Sequence, residues 1–599
     1  ETISDWKSVI EQIKHRVVLF IDTKVKELYG LPKIDGIVFE VEARDEFKNV
    51  SYYSKFVDEM GKHKMDTHTV IVSVGGGSVS NLAGFIAGTY KRGIEFLSFP
   101  STLLAMTDAC ISYKQALNTE YGKNQIGCYK VPSNIYIYYD FLKTLDERFI
   151  WDGYAEIIKH AVCENFTLSD DDMFSNVMKT IQAKIEHIRN DPWELHPILM
   201  YGHQYGHALE YVSNDEYYHG EAVNVGMIGA SHVGHVLDIH DNKLINIHKQ
   251  FSDTFHLPKM FRSDSLSELF KFMYNDKSVK NGQVHFSFGE NLVDDTVGVE
   301  NDALCYGLNK TCINRMIFPN LSEMHKIAYG TCGAKEGDVY EAIKCGYRTL
   351  DCAHFYGNEV MIGKEIKKCI NEGVCTREDL FIIGKLWNDQ HDSVKDACQK
   401  SIDALQVDYL DMYLVHWPVV YKDGERFDAD VLAVFSKMKE LEGNLCKNVG
   451  VSNFKIEHLE KIKHLKPAIN QIELHPYFQQ NELREYCDKN MINIMAYSPM
   501  SKDALVDEQI CKNLGIGNST GLGMAPFIVN HPTLLNNWIS ARENSLKKIR
   551  EIKTVSEKDK NLFLECLKKS IKNITSWNTE SEYQVNKIKS LLKNLNEFI

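Results

Sequence analysis

The chain has 599 residues, is 44% hydrophobic and 25% charged, and carries a formal net charge of −14. That length exceeds one ordinary core and points to about two to four soluble globular domains. The acidic balance excludes nucleic acid as the main partner, and no apolar run has the length of a membrane span or the form of a signal peptide. Fifteen scattered cysteines without a Cys-x-x-Cys pair read as the reduced thiols of a cytoplasmic protein.

In chain order, "RVVLFID" predicts a strand, "TVIVSV" a second, "NLAGFIAGTYKR" the helix after it, and "IEFLSFP" a third strand. Runs apolar on both faces and linked by helices predict a parallel α/β sheet over 1–140. Over 141–300 the pattern turns helical, with "GYAEIIKHAVCEN" and "HGEAVNVGMIGASHVGHVL". An α/β part followed by a helical part reads as a two-domain enzyme with a cleft. A second α/β rhythm begins near 325: "HKIAYGT", "YRTLDCA", "DLFIIGKLW", "DYLDMYLVHW", "NVGVSNF", "AINQIELHP" and "NIMAYSPM". Short strands separated by helix-length segments predict an incomplete (β/α)8 barrel over 320–510, with functional groups where strands end. Over 511–599, "HPTLLNNWISARENSLKKIREI" and "SEYQVNKIKSLLKNLNEF" predict an α-helical tail.

The chemistry of the first part starts at "VSVGGGSVSNLAGF", where Gly75, Gly76 and Gly77 join a strand to a helix. Glycine there admits a phosphate to the helix N-terminus, although a plain tight turn fits equally well. Asp108, Lys114, Lys123 and Asn124 fall within a short stretch that reads either as a solvated loop or as a phosphate and hydroxyl clamp. Glu156 and Lys159 share one face of an otherwise apolar helix, and such a pair needs partners. In "YGHQYGHALEY", His203 and His207 lie one turn apart, and His219 follows in "YHGEAVNVGM". Two histidines and a glutamate match a catalytic zinc-type site, and half-buried histidines satisfied by carbonyls are the alternative.

The ordered set of GGG, "KRGI", "PSTLLAMTDA", "YKQALN", "GKNQIG", "AEIIKHAV", "GHQYGHALE", "HGEAVNVGM" and "NDK" resembles the sugar phosphate cyclase superfamily. That superfamily includes dehydroquinate synthase and 2-deoxy-scyllo-inosose synthase, and the resemblance runs from about 17 to 300. It implies a dehydroquinate synthase-like fold, a Rossmann-like α/β domain followed by a helical metal-binding domain. It further implies that Glu156, His203 and His219 hold Zn²⁺ or Co²⁺, with Lys159 and His207 beside the substrate. Asp22, Gly75, Gly76, Gly77, Asn81, Ser101 and Thr102 would line an NAD⁺ site. Arg92, Asp108, Lys114, Lys123, Asn124 and Lys277 would meet the sugar phosphate. Asn81 stands where dehydroquinate synthases carry an aspartate. Met200 stands where the family has a polar or acidic residue, and "SYKQALN" looks most like 2-deoxy-scyllo-inosose synthase.

In the barrel, Asp351, Tyr356, Lys385 and His416 suggest a phenol acting as general acid, its pKa lowered by the ammonium. Together they resemble the aldo-keto reductase family over about 325–510. "GVSNF" with Ser452 and Asn453, "NQIELHPY" with Gln471, and "AYSPM" with Tyr497 then imply a nicotinamide site for NADP(H). The segment expected to grip the adenosine 2′-phosphate finds no counterpart after "SKDALVDEQI", so weak NADPH binding and slow reduction are expected.

The sequence therefore predicts a cytoplasmic fusion enzyme whose cyclase makes a ketone and whose reductase consumes one. Its expected partners are a sugar phosphate, a carbonyl substrate and a second copy of the chain bound through the cyclase. Glucose 6-phosphate is the expected substrate. A 3-dehydroquinate synthase is the alternative activity, and an inactive scaffold of truncated domains is the alternative of another class.

Overall fold

The computed structural model of the chain describes residues 1–42, 47–120, 122–169, 172–191, 193, 197–213, 216–275, 278–288, 296–422, 425–474 and 478–498. The helical tail expected over 511–599 lies outside them, as do Lys277 and the side chain of Lys123. The chain forms two compact units. The first comprises Glu1–Gly234, His240–Lys259 and Phe272–Val299, and the second His235–Ile239, Met260–Lys271 and the chain from Glu300 onward.

The first unit is built on a five-stranded parallel sheet in the order Gly36–Val41, Val17–Asp22, Val70–Gly75, Glu95–Pro100 and Asn134–Ile135. Val18 and Phe20 pack on one face with Ile71, Leu82 and Ile86, while Val17, Leu19 and Ile21 pack on the other with Val70, Val72 and Trp6. Both faces are covered, which is why these strands read as unbroken apolar runs. Gly36–Val41 escaped the sequence reading although Ile37, Val38, Phe39 and Val41 make it an apolar run; it lies at an edge of this sheet, with three residues partly buried and two exposed.

Lys114–Thr119 and Gly122–Tyr129 form an antiparallel hairpin, not the solvated loop that was one sequence reading. Buried Gln115 and Leu117 alternate with partly exposed neighbours, so the period is two although the residues are polar. Helices Glu147–Cys163, Met173–Asn190, His203–Val212 and His219–Val236 follow. Two of their glycines permit backbone contact: a Cβ on Gly220 would lie 1.9 Å from the Asp152 carbonyl oxygen, and one on Gly226 2.0 Å from that of Gly202.

The second unit holds a seven-stranded parallel sheet whose spatial order is its chain order: Ala328–Gly330, Thr349–Asp351, Phe381–Leu386, Leu410–Val415, Cys446–Ser452, Ile469–Glu473 and Asn493–Tyr497. Ile382, Tyr413 and Val415 pack among the helices, whereas Ile383, Met412 and Leu414 cluster with Met316, Phe318 and Met324 around the hairpin Arg315–Ile317 and Glu323–His325. This inside–outside alternation is that of a β/α barrel wall. Among the described residues, no helix is long and apolar enough to cross a membrane.

Candidate active sites

In the first unit, three helices deliver one cluster. Glu156 lies within Glu147–Cys163, while His203 and His219 are the first residues of their helices. Nε2 of His203 and of His219 lies 3.6 and 3.9 Å from Glu156 Oε1, and the candidate ligand atoms all fall within 4.8 Å of one another. The opposite ring nitrogens are engaged: His203 Nδ1 meets the Tyr201 carbonyl at 3.1 Å and His219 Nδ1 meets Glu210 Oε2 at 3.0 Å. Nδ1–H donation there fixes each ring with a lone pair on Nε2, the arrangement of a metal-binding histidine. Glu156 is fully buried and its Oε1 has no hydrogen-bond partner. A divalent cation would satisfy that oxygen, so the residues present fit the implied metal.

Burial pushes His203 well below the ordinary imidazole range, aided by Lys159, His207 and His219. Burial lowers His219 too, but Glu210, Glu156 and Asp152 outweigh it and raise the ring to about 9. A metal would displace that proton. His207 lies beside the triad, its ring centroid 5.2 Å from that of His203 and 6.3 Å from that of His219, but it is not among the converging ligand atoms.

The cluster opens on a cavity of about 1670 Å³ that reaches from the metal candidates to the glycine turn. Asp22, Gly76, Gly77, Asn81, Ser101, Thr102, Asp108, Lys114, Asn124, Lys159, His203, His207 and His219 all line it. Gly76 caps helix Gly77–Thr89 without a side chain, leaving the N-terminal amides to a bound anion, so this end fits the implied NAD⁺. Asp22 accepts from the Lys24 and Val25 amides at 2.8 and 3.1 Å. Gly75 does not line the cavity. A Cβ there would lie 2.7 Å from that of Val79, so close packing requires the glycine. Arg92 is exposed on the turn Tyr90–Arg92 and does not line the cavity either.

Lys159 is buried and ion-paired with Glu156, and Lys184 Nζ bonds Asp108 Oδ1 at 2.6 Å. Burial would raise the Asp108 pKa, but Lys184 and Lys159 outweigh it and hold the carboxylate ionised. Lys48 Nζ donates to Asn124 Oδ1 at 2.6 Å.

The second unit assembles its residues at strand ends. Asp351 closes Thr349–Asp351, Tyr356 lies on the turn His354–Tyr356, Lys385 is on Phe381–Leu386, and His416 follows Leu410–Val415. Lys385 Nζ donates to Asp351 Oδ1 at 2.6 Å, to the Cys352 carbonyl at 3.1 Å and to Tyr356 Oη at 3.2 Å. The Tyr356 and His416 ring centroids are 5.9 Å apart. Gln471 Nε2 donates to Asp351 Oδ1 at 3.1 Å, Ser452 Oγ to the Gln471 carbonyl at 3.0 Å, Asn453 Nδ2 to the His416 carbonyl at 2.9 Å, and Tyr497 Oη to Asn453 Oδ1 at 2.7 Å.

Family models match both parts: 3-dehydroquinate synthase N-terminal over 38–152, its C-terminal counterpart over 153–279, and the aldo/keto reductase family over 334–519. A 3-dehydroquinate synthase of Campylobacter jejuni (strain RM1221) is 30% identical over 311 residues, covering 48% of this chain and 86% of that protein. An aldose reductase of Encephalitozoon cuniculi (strain GB-M1) is 35% identical over 269 residues, covering 40% of this chain and 89% of that protein. The chain belongs to both families. It joins a 3-dehydroquinate synthase-like sugar phosphate cyclase to an aldo/keto reductase. Among solved structures, a 2-epi-5-epi-valiolone synthase from Streptomyces hygroscopicus subsp. jinggangensis 5008, with NAD⁺ and Zn²⁺ bound, is 22% identical. It covers 50% of this chain and 91% of that one, with a TM-score of 0.46.

Within the aldo/keto reductase, one sequence expectation is overturned. Tyr356 is raised above the ordinary phenol range, because burial, with Asp351, outweighs Lys385. The phenol is thus held protonated, as a donor. The similarity to the aldose reductase takes in 40% of the chain, more than the 325–510 segment holds. Within the cyclase, the sequence reading missed Lys48, Lys184 and Glu210. Lys184 was within reach, since it shares a helical stripe with buried Asn176, Val177, Thr180 and Ile188. Lys48, just before helix Val50–Lys62, carries no such signal.

Proposed function

We propose that the cyclase unit converts glucose 6-phosphate into a carbocyclic ketone with loss of inorganic phosphate, using NAD⁺ and Zn²⁺ or Co²⁺, and that the second unit reduces carbonyls with NAD(P)H. One observation carries the reading: Nε2 of two oriented histidines and an orphaned carboxylate oxygen converge beside a cavity that also holds Lys48, Lys114, Lys159 and Lys184. When bound, the metal would polarise a substrate hydroxyl, and NAD⁺ would take up and later give back the hydride of the carbon that bears it. The chain's own groups do the rest. Lys114, Lys159 and Lys184 offset the phosphate charge, and Lys48 orients Asn124 toward sugar hydroxyls. His207, near the triad but outside it, moves the proton of the oxidised hydroxyl. The leaving phosphate itself serves as base for its elimination, and ring opening and an intramolecular aldol step follow.

Met200 lines this cavity. A thioether donates no hydrogen bond, which favours a sugar phosphate over a substrate carrying a carboxylate. The second reading, 3-dehydroquinate synthesis, is favoured by the 30% identity to the Campylobacter jejuni enzyme. The deciding experiment incubates the full chain with NAD⁺ and Co²⁺ and follows phosphate release. Release from glucose 6-phosphate without NADH accumulation is expected. Faster release from a seven-carbon acid phosphate would promote the second reading, and steady NADH build-up would indicate a simple dehydrogenase.

A further inference from the structure

The two sites differ in how many ammonium groups line them. The cyclase cavity is lined by Lys48, Lys114, Lys159 and Lys184. At the reductase centre, Lys385 is fully buried and directs its ammonium to Asp351, the Cys352 carbonyl and Tyr356. An ammonium has three N–H groups, so none is left for a substrate. His416 adds no charge, since burial and Lys385 lower it to about 3. The wall beyond these groups is aromatic. Phe355 and Trp387 stack with centroids 3.8 Å apart, and the Trp387 ring lies 5.0 Å from that of His416. Phe355 is 59% exposed, and Trp417, next in the chain after His416, is 38% exposed. A phosphate dianion brought here would lose water and, among the described residues at this centre, find the Lys385 ammonium already committed to Asp351, Cys352 and Tyr356. A hydroxylated carbocycle suits the same wall, laying its C–H faces on the rings and leaving its hydroxyls solvated.

We infer that the reductase unit takes an uncharged, hydroxylated cyclic ketone, and therefore acts after a reaction that has eliminated phosphate. Naming the cyclase unit as that supplier rests on the function proposed above. Hydride passes from C4 of the reduced nicotinamide cofactor to the carbonyl carbon. The carbonyl π pair takes the Tyr356 hydroxyl proton, solvent returns a proton to the phenolate, and the oxidised cofactor and a secondary alcohol leave.

The test supplies the ketone ready-made, so that it does not depend on the cyclase. The full chain is given NADPH or NADH with a pentahydroxycyclohexanone, and with the same ring carrying a phosphate ester. The neutral ring should show a kcat/KM at least about tenfold higher, within the range a pocket achieves by leaving one polar group unsatisfied. Tyr356→Phe should stop cofactor oxidation, and Phe355→Arg should narrow the gap between the two rings. Equal or faster turnover of the phosphorylated ring overturns the inference, and so does a lack of turnover of the neutral ring. Phosphate release from glucose 6-phosphate, measured on the same preparation, reports the cyclase reading separately.

Discussion

Neither imidazole of the candidate metal triad is free to turn, because a carbonyl holds His203 and the Glu210 carboxylate holds His219. If the three candidate ligands hold the ion, losing one leaves too few to retain it. His203→Ala or Glu156→Ala should therefore lower bound metal far below one ion per chain and end phosphate release. His207→Ala should keep the metal yet slow turnover by about two to four powers of ten, the usual weight of a general acid–base group. Metal analysis of the three variants decides, and loss of metal from His207→Ala as complete as from His203→Ala would refute this division of labour. The triad was legible in the sequence because His203 and His207 sit at helical spacing and His219 and Glu156 belong to ordered motifs. Glu210 was not, since its meaning lies in a contact with a residue on the next helix. The direction of the Tyr356 shift was illegible for a similar reason: a lysine nearby can be read from sequence, but the burial that outweighs it cannot.

At the scale of elements, legibility followed burial. Val17–Asp22 and Val70–Gly75 are buried along their whole length and announce themselves. The polar hairpin Lys114–Tyr129 does not, because its pattern is weak on a hydrophobic scale, whereas the edge strand Gly36–Val41 is an apolar run, "GIVFEV", that the reading passed over. The structure gives two glycines of the helical part a task between helices. Gly226 lets helix His219–Val236 meet the backbone at Gly202, one residue before His203. Gly226→Val should force that contact open, costing about 1–3 kcal/mol as overpacking does. It should also weaken metal binding, because His203 and His219 would separate. Unchanged metal affinity with a lowered melting temperature would mean that the contact serves packing alone.

Across the whole molecule, buried neutral histidines set the response to acid. Burial lowers His248 to about 3, His391 to about 4 and His416 to about 3, from an ordinary value of 6.5. Below about pH 6.5 the unfolded chain binds protons that these folded sites refuse, so the stability they contribute is intact above 6.5 and is lost as the pH falls toward 3 to 4. Asp152, raised by burial to about 6, and His219, raised by its carboxylate neighbours to about 9, oppose this, while His203 and His160, held low by burial, act with it. Melting temperature should thus fall from about pH 7 to about pH 5, and His248→Gln should flatten the slope. A melting temperature that rises or holds steady over that range would contradict the assignment.

The barrel's chain-ordered strands have a consequence during synthesis. Each new strand finds its neighbour already made, which keeps contacts local and favours fast folding. Among the described residues Ala328–Gly330 pairs on one side only, and the seventh strand begins at Asn493. At ribosomal speeds of about 5–20 residues per second, the six later strands take about ten seconds to half a minute to emerge, and the other edge of Ala328–Gly330 gains no partner from them. The segment is only Ala-Tyr-Gly, too short and too poor in apolar residues to be a good template for a stray nascent chain.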